Sequence, residues 1–208
     1  NESEYIRKVI EISPPTVTAA FESEKTICEP YRASFTNTSI QGVTFLWDFG
    51  DGSFSTDKDP IHTFHGPGNY NVRLIAYNDA TCNKTDTTDI VTIGVFQNPD
   101  ASFDWSPNPP LVNTPTLFSN TSSGANQYQW YFGDGEGSTQ TNPSYQYNET
   151  LTFTATLIAT NAAGCTDTAR RNINSLIDPL LDVPNAFTPG QTGRNQTVKV
   201  EGFGIGKM

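Results

Sequence analysis

Phe45-Leu46-Trp47-Asp48-Phe49-Gly50-Asp51-Gly52 returns 83 positions later as Tyr128-Gln129-Trp130-Tyr131-Phe132-Gly133-Asp134-Gly135, and the fold is decided there. In the first copy Phe45, Trp47 and Phe49 alternate with Leu46 and Asp48, which sends the rings to one face of a strand. The second copy does the same with Tyr128, Trp130 and Phe132. Each run then breaks on Gly-Asp-Gly, where glycine reaches positive φ cheaply and aspartate bonds its own turn. Outward from this stretch the same offset places Phe35 on Phe118, Pro60 on Pro143 and Tyr70 on Phe153. It continues with Leu74 on Leu157, Asn78 on Asn161 and Cys82 on Cys165. One offset fits residues 35–82 and 118–165, so no insertion is expected between the copies. A fixed period means an array of similar modules, each large enough to hold its own core.

A second alternating run follows the turn. Tyr70, Val72, Leu74 and Ala76 are expected inward, and so are Phe153, Ala155, Leu157 and Ala159, with Thr152, Thr154, Thr156 and Thr160 outward. β-Branched and aromatic residues suit half-buried strands. Gly66-Pro67-Gly68-Asn69 and Asn78-Asp79-Ala80 punctuate them. Short strands separated in this way over about 80 residues predict an all-β chain of tandem immunoglobulin-like two-sheet sandwiches. The expected boundaries are 15–95 and 96–176. Residues 1–14 resemble the last strand of a preceding repeat, and 177–208 open an incomplete β domain.

The net charge of −10 is spread along the chain: ten acids against five bases in 16–94, six against two in 97–175. Such a surface excludes nucleic acid as a partner, since phosphate contacts need clustered Lys and Arg, and it disfavours an anionic membrane. No apolar run is long enough to span a bilayer as a helix. Few Lys and much Thr, Asn, Gly and Pro give the composition of an exported chain.

Trp47-Asp48-Phe49-Gly50-Asp51-Gly52, then Asp59-Pro60, then Gly68-Asn69-Tyr70-Asn71-Val72-Arg73-Leu74 resembles the polycystic kidney disease (PKD) domain, as does the second copy with Asn142-Pro143. The resemblance implies a sandwich acting as spacer or binding module, not as catalyst. The second copy departs from the pattern at Tyr131, where the family has an acidic residue. Farther on, Pro184-Asn185-Ala186-Phe187-Thr188-Pro189 resembles the opening of the gliding-motility-associated, type B C-terminal domain of type IX secretion cargo. That implies export by the type IX machinery and attachment to an outer-membrane protein of the PorP/SprF type. Together the two resemblances imply the C-terminal region of a cell-surface adhesin like those of gliding Bacteroidota. Its ligand would be a surface polysaccharide or protein. The rival reading is a set of accessory substrate-binding modules on a secreted polysaccharide or protein hydrolase.

Cys28 has no counterpart under the offset, because position 111 is leucine. A Cys28–Cys82 bridge within the first module is therefore expected, leaving Cys165 alone; in an exported protein a paired reading is natural. Three free, buried thiols are the other reading. Asp48, Asp51, Asp57 and Asp59 crowd one turn and are a weak calcium candidate, since hard cations want several oxygens. Turn aspartates more often bond backbone. No cofactor and no other metal site is expected. His62 and His65 are the two histidines, and Tyr145 stands where the second copy would repeat His62, which points to a structural role. The Tyr70 hydroxyl is expected to bond backbone near its strand. Asp48-Phe49-Gly50 lacks every other kinase motif, and no nucleophile elbow or His-Glu-x-x-His helix is present.

Overall fold

The computed structural model describes residues 15–177. The expected strand at 1–14 and the sorting motif Pro184–Pro189 lie outside the described residues. The chain divides into two compact units that meet between Asn98 and Pro99. Every named element is a β-strand, and each unit is an immunoglobulin-like β-sandwich.

In the first unit the strands are β1 (Phe21–Glu22), β2 (Thr26–Cys28), β3 (Arg32–Ser34), β4 (Thr36–Asn37) and β5 (Thr44–Asp48). They continue as β6 (Phe54–Ser55), β7 (Ile61–Thr63), β8 (Gly68–Tyr77), β9 (Thr85–Thr87) and β10 (Val91–Phe96). One layer runs β2-β10-β8-β5-β6, with β9 continuing the pairing along β8; the pairs β1–β4 and β3–β7 form the other. The second unit has β11 (Phe103–Ser106), β12 (Pro115–Asn120), β13 (Gln127–Tyr131) and β14 (Gly137–Ser138). β15 (Ser144–Gln146), β16 (Thr152–Thr160) and β17 (Thr166–Asn174) complete it. Its layers are β11-β12-β15 and β14-β13-β16-β17.

The alternation read from the sequence fixes what each layer buries. Trp47 and Trp130 are 0% exposed, and Val72, Leu74 and Ala76, like Ala155, Leu157 and Ala159, are sealed. Each indole sits in a cage of rings: Phe21 and Phe35 at 5.1 and 5.5 Å from Trp47, Phe103 and Phe118 at 5.1 and 5.6 Å from Trp130. Edge-on and tilted packing suits the ring quadrupole. The indole N–H groups are satisfied alike, donating to Asp57 O and Gln140 O at 2.9 Å. A buried Trp left without that acceptor would lose part of what its burial contributes.

The offset of 83 holds through β8 and β16 and then fails. β8 sets Tyr70 opposite Ile93, while β16 sets Phe153 opposite Ile173, so the last strands are related by 80. The break begins in the turn. Asn78 N–H bonds Lys84 O, and Asn161 N–H bonds Cys165 O, so the first turn is two residues longer. Lys84, not Cys82, is the counterpart of Cys165.

That insertion corrects the cysteine reading. Cys82 is an exposed free thiol, and the Cys28–Cys82 bridge is not formed. Cys28 lies opposite Phe96, and the adjacent Val95 lies opposite Gly68 at the start of β8. Cys82 follows Tyr77 at the far end of the same ten-residue strand. Such a strand is about 30 Å long at ~3.3 Å per residue, whereas a bridge needs Cα atoms within about 7 Å. Cys28 and Cys165 are in disulfide form, so neither the solitary Cys165 nor the set of three free thiols stands.

Candidate functional site

The Gly-Asp-Gly turns are built for close approach. Gly50 and Gly133 have φ of 77° and 97°, and a Cβ on either would come within 2.6 or 2.7 Å of the neighbouring backbone at Asn71 or Thr154. The turn thereby docks against β8 or β16 and fixes the aspartate that follows. Asp51 accepts from Ser53 N and Ser53 Oγ and lies 2.7 Å from His62 Nε2. Burial opposes its ionisation, but the hydrogen bonds from Ser53 and His62 outweigh it and hold the carboxyl down at about 2. His62 lies flat on Phe49 at 4.1 Å and edge-on to Phe64 at 4.7 Å.

The second unit keeps the arrangement with another residue. Tyr145 lies flat on Phe132 at 3.9 Å, edge-on to Tyr147 at 5.1 Å, and donates its hydroxyl to Asp134. His62 is therefore a structural ring, replaceable by any flat donor that reaches the turn. Tyr70 OH bonds Gly66 O at 2.9 Å as expected. Where the second unit has Phe153, the hydroxyl has moved to the stacked partner: Tyr147 donates to Phe132 O at 3.1 Å.

The calcium candidates are not brought together as a ligand set. Among the described residues no three of His, Cys, Asp and Glu converge on a common point. Asp48 pairs with Arg73 at 2.9 Å, Asp57 accepts from Ser55 Oγ, and Asp59 accepts from Asn37 N–H at 2.8 Å. In the second unit Asn142 takes the place of Asp59 and accepts from Asn120 N–H at 2.8 Å. An amide suffices there, so the role is turn closure and needs no charge.

The chemistry that differs between the units lies on the outer face of the larger sheets. A depression of about 670 Å³ in the first unit is lined by Val43, Thr44, Leu46, Thr56, Lys58 and Tyr77. One of about 380 Å³ in the second is lined by Asn126, Gln127, Gln129, Thr139, Thr141 and Thr160. Each residue of the second set lies 83 positions after its partner in the first. The fold has made the same depression twice, once with aliphatic and aromatic walls, once with amides and hydroxyls. Beside it, the Asp48–Arg73 ion pair of the first unit becomes Tyr131 opposite Thr156, and Tyr131 is 49% exposed. The sequence reading noted Tyr131 as a departure but not its partner. The signal was present, because Arg73 and Thr156 obey the same offset.

A profile of the PKD domain matches residues 12–93 and 110–174. Over 53 residues the chain is 43% identical to collagenase ColQ1 of Bacillus cereus (strain Q1), a stretch that covers 25% of this chain and 6% of the collagenase. The chain thus spans a small fraction of that relative. Among solved structures, the PKD1 domain of the Vibrio cholerae metalloprotease PrtV is 29% identical with a TM-score of 0.34, covering 38% of this chain and 98% of that one. The PKD1 domain of Vibrio anguillarum Epp is 26% identical with a TM-score of 0.36, covering 39% and 98%.

Proposed function

Since the chain belongs to the PKD domain family, we propose that its two sandwiches are non-catalytic spacer and binding modules of a large cell-surface adhesin. Residues 177–208 serve as its type IX export and attachment signal. One observation carries the non-catalytic reading. The acid that each Gly-Asp-Gly turn presents is already held by a flat ring, His62 on Asp51 and Tyr145 on Asp134. Its presence in both units, through different side chains, argues for a structural requirement and not for proton transfer. The surface location and the PorP/SprF-type partner rest on Pro184-Asn185-Ala186-Phe187-Thr188-Pro189. Deleting those six residues in the native gene tests this: the protein should vanish from the cell surface and accumulate inside the envelope. Unchanged surface display would remove the sorting role.

A second reading is favoured by the collagenase stretch: the sandwiches are accessory modules that hold a secreted hydrolase on its polymeric substrate. The gene sequence preceding Asn1 separates the two. Further repeats of about 80 residues support the adhesin, and a metalloprotease or other catalytic motif supports the accessory role.

A further inference from the structure

We propose that the outer face of β13, β16 and β17 in the second unit binds an acidic polysaccharide, with Tyr131 as the stacking platform and Arg170 as the carboxylate clamp. The pairing register places Tyr131, Thr156 and Arg170 in one row across the three strands. Residues directly opposite in an antiparallel sheet share a face, and that face is outward, because Ala155 and Leu157 on either side of Thr156 are buried. Tyr131 and Arg170 are both exposed, and two strand spacings set their backbones about 10 Å apart.

Charge selects the occupant. Residues 97–175 hold six acids, and Arg170 and Arg171 are their only bases. Both arginines sit on the edge strand β17, and neither forms an ion pair among the described residues. The acids lie elsewhere: Asp134 and Glu136 in the turn, Glu149 in the loop before β16, Asp100 and Asp104 at and beside the opposite sheet. Asp167 is occupied by Ala101 N–H. In the first unit the same register is closed by the Asp48–Arg73 pair. In the second, both members of that pair are replaced, by Tyr131 and Thr156, and a different cation, Arg170, enters the row from β17, two strands away from the open ring.

The rest of the face is neutral and dense in hydrogen-bonding groups. Thr154 and Asn172 bond one another at 3.1 Å, as do Thr152 and Asn174 at 2.8 Å. Gln127, Gln129 and Thr160 lead from the row into the amide-lined depression. Hydroxyls and amides both donate and accept, which matches sugar hydroxyls. An exposed tyrosine offers a flat apolar face with a polar tip. A guanidinium takes a carboxylate through two parallel hydrogen bonds. A flat, extended, carboxylate-bearing chain of sugars uses all three.

This deepens the binding-module reading and does not depend on how the protein is sorted. The test is titration of the 208-residue chain with polygalacturonate, neutral dextran and polyglutamate, for wild type, Arg170→Gln and Tyr131→Ala, with melting recorded for each. Expected is saturable binding of polygalacturonate alone, weakened by salt and reduced about tenfold or more in either variant, at unchanged melting temperature. Absence of polygalacturonate binding overturns the inference. So does equal binding of polyglutamate with Tyr131→Ala unaffected, which marks a polyanion patch, or equal binding of dextran. None of these outcomes alters the surface-display experiment, so the two readings fail separately.

Discussion

His62 Nε2 stands 2.7 Å from Asp51 Oδ2, and this one contact ties the aromatic column of the first unit to its most constrained turn. His65 Nδ1 approaches the same oxygen at 3.5 Å from an exposed position. The Asp51 side chain itself is 4% exposed, so its ionisation is felt by the fold.

The first prediction follows from the sign of that coupling. Burial raises the Asp51 pKa, but hydrogen bonds from Ser53 and His62 outweigh it, and the folded value falls from 3.8 to about 2. A depressed carboxylate contributes stability above its unfolded pKa and loses it as pH falls through the folded one. The first unit should therefore lose on the order of 2 kcal/mol between about pH 4 and pH 2. Asp51→Asn should remove that particular pH dependence and lower stability at pH 6. Melting curves across this window would decide it, and identical slopes for wild type and variant would sink the coupling.

How much of this could be read from the chain depends on the residue. Trp47, Trp130 and the inward face of β8 were legible because a strand's two-residue period forces the choice of face. Gly50 and Gly133 were legible because only glycine suits the φ of those turns. The cysteines were not: the two extra residues in the Asn78–Lys84 turn shift Cys82 out of register while leaving its sequence offset intact. The tie from His62 to the turn was invisible too. The offset pairs His62 with Tyr145 and points to a structural role, but nothing in either residue's identity names Asp51 or Asp134 as the partner it holds.

At alkaline pH the second unit should be the weaker one. Burial, then the hydrogen bond to Asp134 and the charges of Asp134 and Glu136, push the Tyr145 phenol well above the usual tyrosine range. Burial and the charges of Asp134 and Tyr145 do the same to Tyr147. A raised pKa gives stability that is intact below about pH 10 and declines as pH rises toward the folded values. Tyr145→Phe should cost about 1 kcal/mol at pH 8 through the lost hydroxyl contact and flatten the alkaline decline. Phenolate absorbance and melting, followed together from pH 9 to 12, report both. A variant as alkali-sensitive as wild type would show that Tyr145 is not the titrating group.

Thiol chemistry checks the corrected cysteine pattern. Cys82 is free and exposed, so the folded, unreduced chain should react with one equivalent of a thiol reagent, and Cys82→Ser with none. Since Cys82 lies in an exposed turn, that substitution should move stability by no more than about 0.5 kcal/mol. An unreactive wild-type chain would mean that Cys82 is paired after all.

The two glycines of one turn separate close approach from backbone strain. Gly133 and Gly135 have φ of 97° and 103°, so alanine is strained at both. At Gly135 an added Cβ meets nothing within 4 Å, whereas at Gly133 it falls 2.7 Å from Thr154 N and 2.9 Å from Thr154 O. Backbone strain alone costs roughly 1–2 kcal/mol, and this should be the whole effect of Gly135→Ala. Gly133→Ala must also push the turn off β16, at the pairing of Thr154 with Asn172. It should exceed the neighbouring substitution by about 2 kcal/mol or more, in keeping with overpacking against an immovable backbone. Urea unfolding of the two variants gives the difference directly. Equal losses would mean that the turn is held by its own hydrogen bonds and not by its seat on the neighbouring strand.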